Sequence, residues 1–205
     1  MKHVKRIIIL FILAVVAVIW LGNVAAESSS SIEQTFQKAK QNYLDKNMEA
    51  ASTQIQKGAA YMKEQSEKAS DSGKAALAAS SRELEELAGD VKKGSVKSVK
   101  KMEDAFARAY LALAKDAHTQ SAKSWAEKQG QKAGEGLEKA SGYLERSFAW
   151  AGQKVEQGTR NVMQKSKDLS TKLKEKGRAV AEDVGKNLKE TGNEIEKFGK
   201  KISPK

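Results

Sequence analysis

Apolar residues recur along most of this chain at the three- and four-residue steps of a helix, and no stretch alternates with period two long enough to argue a strand. Ile32, Phe36, Ala39 and Tyr43 form one stripe, and Met48, Ala51, Ile55 and Met62 a second that is out of phase with it. The phase changes across Asp45-Lys46-Asn47, where an acid and an amide suit a turn, so the two stripes read as an antiparallel helix hairpin. Val99, Met102, Phe106, Ala109, Leu113 and Ala117, followed by Leu137, Ala140, Leu144, Ser147 and Ala151, read as a second hairpin around Lys128-Gln129-Gly130-Gln131. Gly130 is the residue expected to take the left-handed, helix-ending conformation there. Between the hairpins, breaks at Asp71-Ser72-Gly73 and Gly89 to Ser95 bracket a connector helix striped by Leu77, Leu84, Leu87 and Val91.

The two hairpins are related by a shift of 82 positions. Tyr43 then falls on Trp125, Lys46 on Lys128, Ala51 on Ala133, Ile55 on Leu137, Lys57 on Lys139, Tyr61 on Tyr143 and Met62 on Leu144. Aromatic residues are scarce in this chain, so their coincidence at one offset argues duplication over chance similarity of lysine- and alanine-rich helices. Each hairpin resembles a tetratricopeptide unit, in which two antiparallel helices set small and aromatic residues at fixed positions. The family's spacing is about 34 residues and its tryptophan-leucine-glycine signature is missing here, so the resemblance implies hairpin geometry alone.

The strongest periodicity lies in residues 152–205. Val155, Val162, Leu169, Leu173, Val180, Val184, Leu188, Ile195, Phe198 and Ile202 fall in one arc of about 100° on a helical wheel, and no charged residue from Lys154 to Lys201 enters it. Val162, Leu173, Val184 and Ile195 are spaced by 11, which keeps a stripe straight along a helix. One continuous helix over this stripe would extend roughly 70 Å. Its five glycines weaken it alone in water by about 1 kcal/mol each, so the stripe must pack on something: the chain's own bundle, a partner helix or a lipid surface. The period and the Lys, Glu, Gly, Thr and Ala content resemble late-embryogenesis-abundant and apolipoprotein-type repeats, which implies an amphipathic, surface-active or protective helix. Trp125, Phe148 and Trp150 just upstream depart from that low-aromatic pattern.

The expected fold is therefore all-α: an antiparallel helical bundle of two related helix hairpins plus a long C-terminal amphipathic helix. Its divisions are residues 27–95 for the first hairpin and connector helix, 96–151 for the second hairpin, and 152–205 for the tail. Residues 1–26 read differently. Lys2, Lys5 and Arg6 precede the uncharged run Ile7 to Gly22, and Val24 and Ala26 stand where a signal peptidase reads small residues, so an export signal cleaved after Ala26 is expected. The alternative is an uncleaved anchor, since Ile7 to Ala26 is long enough to span a bilayer. Either way the remainder is expected outside the cytoplasmic membrane, periplasmic or secreted.

Composition narrows the chemistry. The chain has no cysteine, so disulfides and thiolate chemistry are excluded, and its only proline is Pro204, which permits long helices. The only histidine after residue 26 is His118, and Lys115 stands where a Glu-x-x-His metal motif needs its acid. No Gly-x-Ser-x-Gly elbow exists, Ser98-Val99-Lys100-Lys101 lacks its companion motifs, and Gly130 to Gly136 lacks the Gly-Lys-Ser/Thr end of a phosphate loop. Glu83, Glu86 and Asp90 share a helical face and read as solvated acids. No catalytic role, cofactor or metal is expected.

Charge places the binding expectation. Residues 27–95 balance to −1, 96–151 to +3 and 152–205 to +6, with the densest basic run at Lys165, Lys167, Lys172, Lys174, Lys176 and Arg178. An exported, non-enzymatic helical bundle acting as an envelope interaction or structural component fits this pattern, with a protein partner or self-association through its helices. The alternative is a stress-protective amphipathic helix that binds anionic lipid or an envelope polymer through the basic run. Nucleic acid is not an expected partner, for no recognisable binding motif is present.

Overall fold

A computed structural model describes residues 31–176 and 181–203, which form seven helices and no strand among the described residues. They are α1 (31–44), α2 (Met48–Lys68), α3 (Asp71–Lys92), α4 (Val99–Ala126), α5 (Gly130–Trp150), α6 (Gln157–Lys176) and α7 (Ala181–Ile202). The all-α helical bundle is as the periodicity predicts. The expected signal at residues 1–26 lies outside the described residues. No described helix is long and apolar enough to cross a membrane.

The turns explain where the helices stop. Lys46 and Lys128 have φ of 61° and 59°, left-handed conformations in residues that are not glycine. Four backbone hydrogen bonds fix the first turn: Asp45 to Gln41, Lys46 to Tyr43, Asn47 to Asn42 and Ala51 to Asn47. The same four recur as Glu127 to Lys123, Lys128 to Trp125, Gln129 to Ser124 and Ala133 to Gln129. Each is displaced by the sequence repeat, so the duplication is structural. The left-handed residue of the second turn is thus Lys128, and Gly130 instead opens α5. Two other expected breaks also move. The chain turns at Ala69–Ser70, with Gly73 inside the first turn of α3, and Gly89 lies within α3 while Gly94 ends it at φ 67°.

The repeat is larger than a hairpin. Shifted by the same offset, the buried Leu77, Ser81, Leu84, Leu87, Ala88 and Val91 of α3 fall on Thr159, Met163, Ser166, Leu169, Ser170 and Leu173 of α6, all buried. Met102, Ala105, Phe106, Ala109 and Leu113 of α4 fall on Val184, Asn187, Leu188, Thr191 and Ile195 of α7, again all buried. The unit is therefore three helices, α1–α3 then α4–α6, and α7 repeats the first helix once more. What reads as a connector is the third helix of unit one, and its counterpart is the first half of the tail. Within each unit the second helix packs on the third, and α4 lies between α1 and α7.

The tail is not one helix. It forms α6 and α7, which run antiparallel: Thr159 bonds to Glu194, Ser166 to Asn187, and Lys197 and Lys201 reach back to Glu156. Length supplies the reason. The 20 to 28 residues of α2 to α7 span roughly 30–42 Å, so a 70 Å helix would leave much of its stripe in water. Folding back buries both halves, and Leu169, Leu173, Val184 and Leu188 close a second apolar cluster on Leu137. Of the remaining stripe residues, Ile195, Phe198 and Ile202 are buried in the main core, Val162 is half-buried, and Val180 lies outside the described residues.

The seam between α6 and α7 is polar at its centre. Ser166 Oγ meets Asn187 Oδ1 at 2.9 Å and Thr191 Oγ1 at 3.1 Å, and Asn187 Nδ2 donates to the Val162 carbonyl. The equivalent seam of unit one holds Leu84, Ala105 and Ala109. A buried, fully partnered network of this kind pairs only in one register, whereas apolar surfaces slide.

Candidate functional site

Three helices build a groove of about 390 Å³ across α4, with α3 on one side and α7 on the other. Its existence follows from small residues at wall positions. Ala76 and Ser80 of α3, Ala112 of α4 and Gly192 and Gly199 of α7 leave unfilled what larger side chains fill elsewhere. On α7 a Cβ at Gly192 would stand 3.0 Å from the His118 ring, and one at Gly199 would stand 3.3 Å from Leu111. Leu111, Ala112 and Ile195 supply the apolar floor.

The walls are pinned at both ends. At one end Arg108 Nε donates to both Glu83 carboxylate oxygens at 2.8 and 3.1 Å, Nη2 adds a further bond to the same acid, and Nη1 donates to the Ile202 carbonyl at 3.1 Å. One guanidinium thus joins α3, α4 and the C-terminus of α7, where a cation also suits the helix dipole. At the other end Asp116, a buried carboxylate, accepts from Ser70 N at 2.9 Å and Ser70 Oγ at 2.8 Å, fastening the start of α3 to α4. Beside it His118 Nε2 donates to the Leu188 carbonyl at 2.7 Å, which assigns its tautomer, because a carbonyl only accepts.

Polar groups on the groove that make no protein contact are open to water: Lys115 and Glu196 are exposed, and no buried side-chain nitrogen or oxygen among the described residues lacks a hydrogen-bond partner, so the Ser80 hydroxyl is solvated as well. A second polar cluster lies on the opposite side of α4. Glu33 Oε2 accepts from Tyr110 Oη at 2.6 Å and from Trp150 Nε1 at 3.3 Å, binding α1 to α4 and α5. Burial first, and then the Glu33 carboxylate, push the Tyr110 phenol above its ordinary value. It therefore stays a hydrogen-bond donor and not a phenolate. Tyr61 and Tyr143, equivalent in the repeat, meet there, and burial followed by the contact with Tyr61 raises the Tyr143 phenol as well.

The basic run is not one patch. Lys167 pairs with Glu145 at 2.8 Å and Lys174 with Glu138 at 2.6 Å, a ladder that fastens α6 to α5, and Lys165 approaches Asp183 of α7 at 3.9 Å. Lys172 is exposed, Lys176 closes α6, and Arg178 lies outside the described residues. Among the repeat-defining residues Ala51 and Ala133 are fully buried, Lys57 and Lys139 exposed, and Tyr43 and Trp125 half-buried. Tyr43 Oη donates to the Val96 carbonyl. Of the acids that share a face on α3, Glu83 is taken by Arg108 and Asp90 by Lys101. No three metal-ligating side chains cluster among the described residues.

Sequence reasoning missed the groove because its lining comes from three helices and spans more than 100 positions, from Ala76 to Gly199, each helix contributing small or single residues with no local signature. The nearest signal was the row of glycines along one border of the tail stripe, which includes Gly192 and Gly199. No protein-family model, curated protein or solved structure matches this chain.

Proposed function

We propose that this chain is an exported, non-enzymatic helical-repeat protein of the cell envelope that works by presenting a rigid stacked-helix surface to a protein partner. The observation that carries the reading is the three-helix repeat. Repeated units stacked side by side extend a surface without changing its local geometry, which is how helical arrays build binding faces. Two observations weigh against a lipid surface as the first partner. The apolar stripe that a bilayer would need is buried against α4 and α5, and three of the six residues of the basic run already face acids.

The test is site-specific photo-crosslinking in the source cell, from Lys57 on α2, Lys115 on α4 and Lys189 on α7, combined with light scattering on the purified chain from Glu27. A discrete adduct from one face and none from the others supports a partner surface. Equal labelling from all faces, or none from any, refutes it. An intact mass corresponding to a chain that begins at Glu27 checks the export half of the proposal.

A further inference from the structure

In unit one the connection from α3 to α4 is fixed by local signals. Gly94 ends α3 at φ 67°, the Ser98 hydroxyl caps α4 by accepting from Lys100 N, and between them the Val96 carbonyl accepts from Tyr43 Oη. At the repeat offset Gly94, Val96 and Ser98 fall on Lys176, Arg178 and Val180, and Tyr43 falls on Trp125, which has no hydroxyl. The sequence that joins α6 to α7 has therefore lost the helix stop and the helix start of its counterpart. Its apolar positions also keep step. Leu169, Leu173, Val180, Val184 and Leu188 stay on one face of a straight helix, whereas the stripes on either side of Lys46 do not.

The docking of α7 differs from that of its equivalent, α4, in the same direction. Phe36 of α1 stacks on Phe106 of α4 at 4.2 Å and meets Tyr110 edge-on. The same register on α7 sets His118 against Leu188, whose carbonyl it bonds, and against Gly192, which has no side chain to offer. The α6 to α7 seam holds Ser166, Asn187 and Thr191 where unit one has Leu84, Ala105 and Ala109. Water replaces hydrogen bonds when such a seam opens but cannot replace apolar contact, so α7 separates at less cost than α4 would. The cross-seam pairs share one centre as well. Glu156 with Lys197, Thr159 with Glu194, and Ser166 with Asn187 are each spaced evenly about the bond between Lys176 and Gly177. Two straight helices from two copies, laid antiparallel about that point, would make every one of these contacts between copies.

We propose that the face of α4, α5 and α6 covered by α7 also accepts α7 of a second copy, so that two chains exchange this helix while α6 and α7 run on as one helix of roughly 70 Å. In a single chain the stripe of such a helix would lie in water, and in the exchanged pair the other copy covers it. The Ser166, Asn187 and Thr191 network sets the antiparallel register in both arrangements, as buried polar residues do in paired helices. The closed chain holds α7 at an effective concentration of about 1 mM, the scale for a short connection, so exchange competes as the protein approaches that concentration. The inference goes beyond the proposed partner surface, which needs one copy alone and survives if no exchange occurs.

The test brings the chain from Glu27 to about 1 mM, carries it through urea at the onset of unfolding to release α7, and fractionates it with light scattering after the urea is removed. A dimer is expected, and mixing isotope-labelled with unlabelled chains shows how it is built. His118 is the only histidine in residues 27–205, so its ring protons are unambiguous. In the dimer an isotope-filtered NOE should connect His118 of a labelled copy to Gly192 of an unlabelled one, and in the monomer fraction it should be absent. Gly177→Ala removes a helix-weakening glycine from both long helices and should raise the association constant by roughly twentyfold, about fivefold per copy. Gly-Ser-Gly-Ser inserted between Lys176 and Gly177 breaks the straight helix, so it should abolish the dimer and leave the thermal midpoint of the monomer close to the parent's. A parent chain that stays monomeric throughout overturns the proposal. So does a dimer whose His118 to Gly192 contact stays within each copy, or one that the insertion leaves undiminished.

Discussion

Gly73→Ala should be one of the most damaging single-methyl additions in this molecule, and the damage should shrink when a second side chain is shortened. An ideal Cβ at Gly73 would lie 2.1 Å from Asp116 Oδ1, 2.6 Å from its Cγ and 2.7 Å from its Cβ. No rotamer relieves the contact with the Asp116 Cβ, so the start of α3 must back away from α4 and Asp116 loses its hold on it. The carboxylate then gives up the bonds from Ser70 N and Ser70 Oγ. Hydrogen bonds to a charged acceptor contribute about 1.5–3 kcal/mol each, part of which water restores once the carboxylate is open to it. Against this, alanine gains at most about 1 kcal/mol over glycine in a helix, and less in a first turn. The expected net loss is about 2–4 kcal/mol, or roughly 5–15 °C in a chain of this size. Asp116→Ala alone loses the same bonds and should cost a similar amount. In the Asp116→Ala background the Oδ1 and Cγ contacts are gone and only the Cβ contact at 2.7 Å remains, so adding Gly73→Ala should cost clearly less than in the parent, with the difference read as a coupling energy. Urea unfolding of the four proteins in the cycle reads the coupling directly. If Gly73→Ala costs the same in both backgrounds, the glycine does not serve the Asp116 contact and the reasoning fails.

Other glycines separate by the same geometry. Gly136→Ala would bring a Cβ to 2.8 Å from the Ser121 Cα and 3.0 Å from its backbone nitrogen, so it should cost about 2–4 kcal/mol by forcing α4 and α5 apart, whereas Gly142→Ala, with nothing within 4 Å, should gain about 0.5–1 kcal/mol; thermal unfolding distinguishes them. Lys46→Gly and Lys128→Gly should each stabilise by about 0.5–1 kcal/mol by relieving a left-handed conformation, and should add when combined because the turns are separate; non-additivity in urea melts would mean that the turns communicate. Glu156 is held down to about 2 by hydrogen bonds from Lys197 and Lys201. A depressed carboxylate stabilises the fold above its unfolded value and loses that contribution as pH falls toward 2, so docking of the start of α6 on α7 should weaken from about pH 4.5 downward. Glu156→Gln should remove this part of the acid sensitivity, and an unchanged acid titration profile would contradict it. Far-UV circular dichroism should record no gain of helix when the chain from Glu27 meets anionic vesicles at low salt, since its stripe is already buried; a marked gain would favour the lipid reading.

Much of this architecture is local in origin and was therefore legible in the chain. A helix needs only its own periodicity, and the stripes through Phe36, Ile55, Leu84, Phe106 and Leu144 are buried as their spacing requires. The duplication was visible in seven aligned residues, and the two turns at Lys46 and Lys128 reproduce it bond for bond. The turn residue itself was misplaced, because glycine is the usual left-handed residue and a lysine takes that conformation only when flanking hydrogen bonds outweigh the steric cost.

What the sequence alone determined is the helical class, the repeat and the apolar face of every described helix, because each depends on residues within a few turns of one another. The tertiary structure alone decided where those faces go. A stripe with an 11-residue period is equally consistent with one long helix or two that fold back, and the choice is made by the length of the bundle available to cover it and by the Ser166, Asn187 and Thr191 network that accepts one register. The groove belongs to the same class. Ser80, Lys115 and Gly192 are unremarkable within their own helices, and line one groove only because α3 and α7 settle on either side of α4. Proximity between residues far apart in sequence is a property of packing, which a periodicity cannot encode.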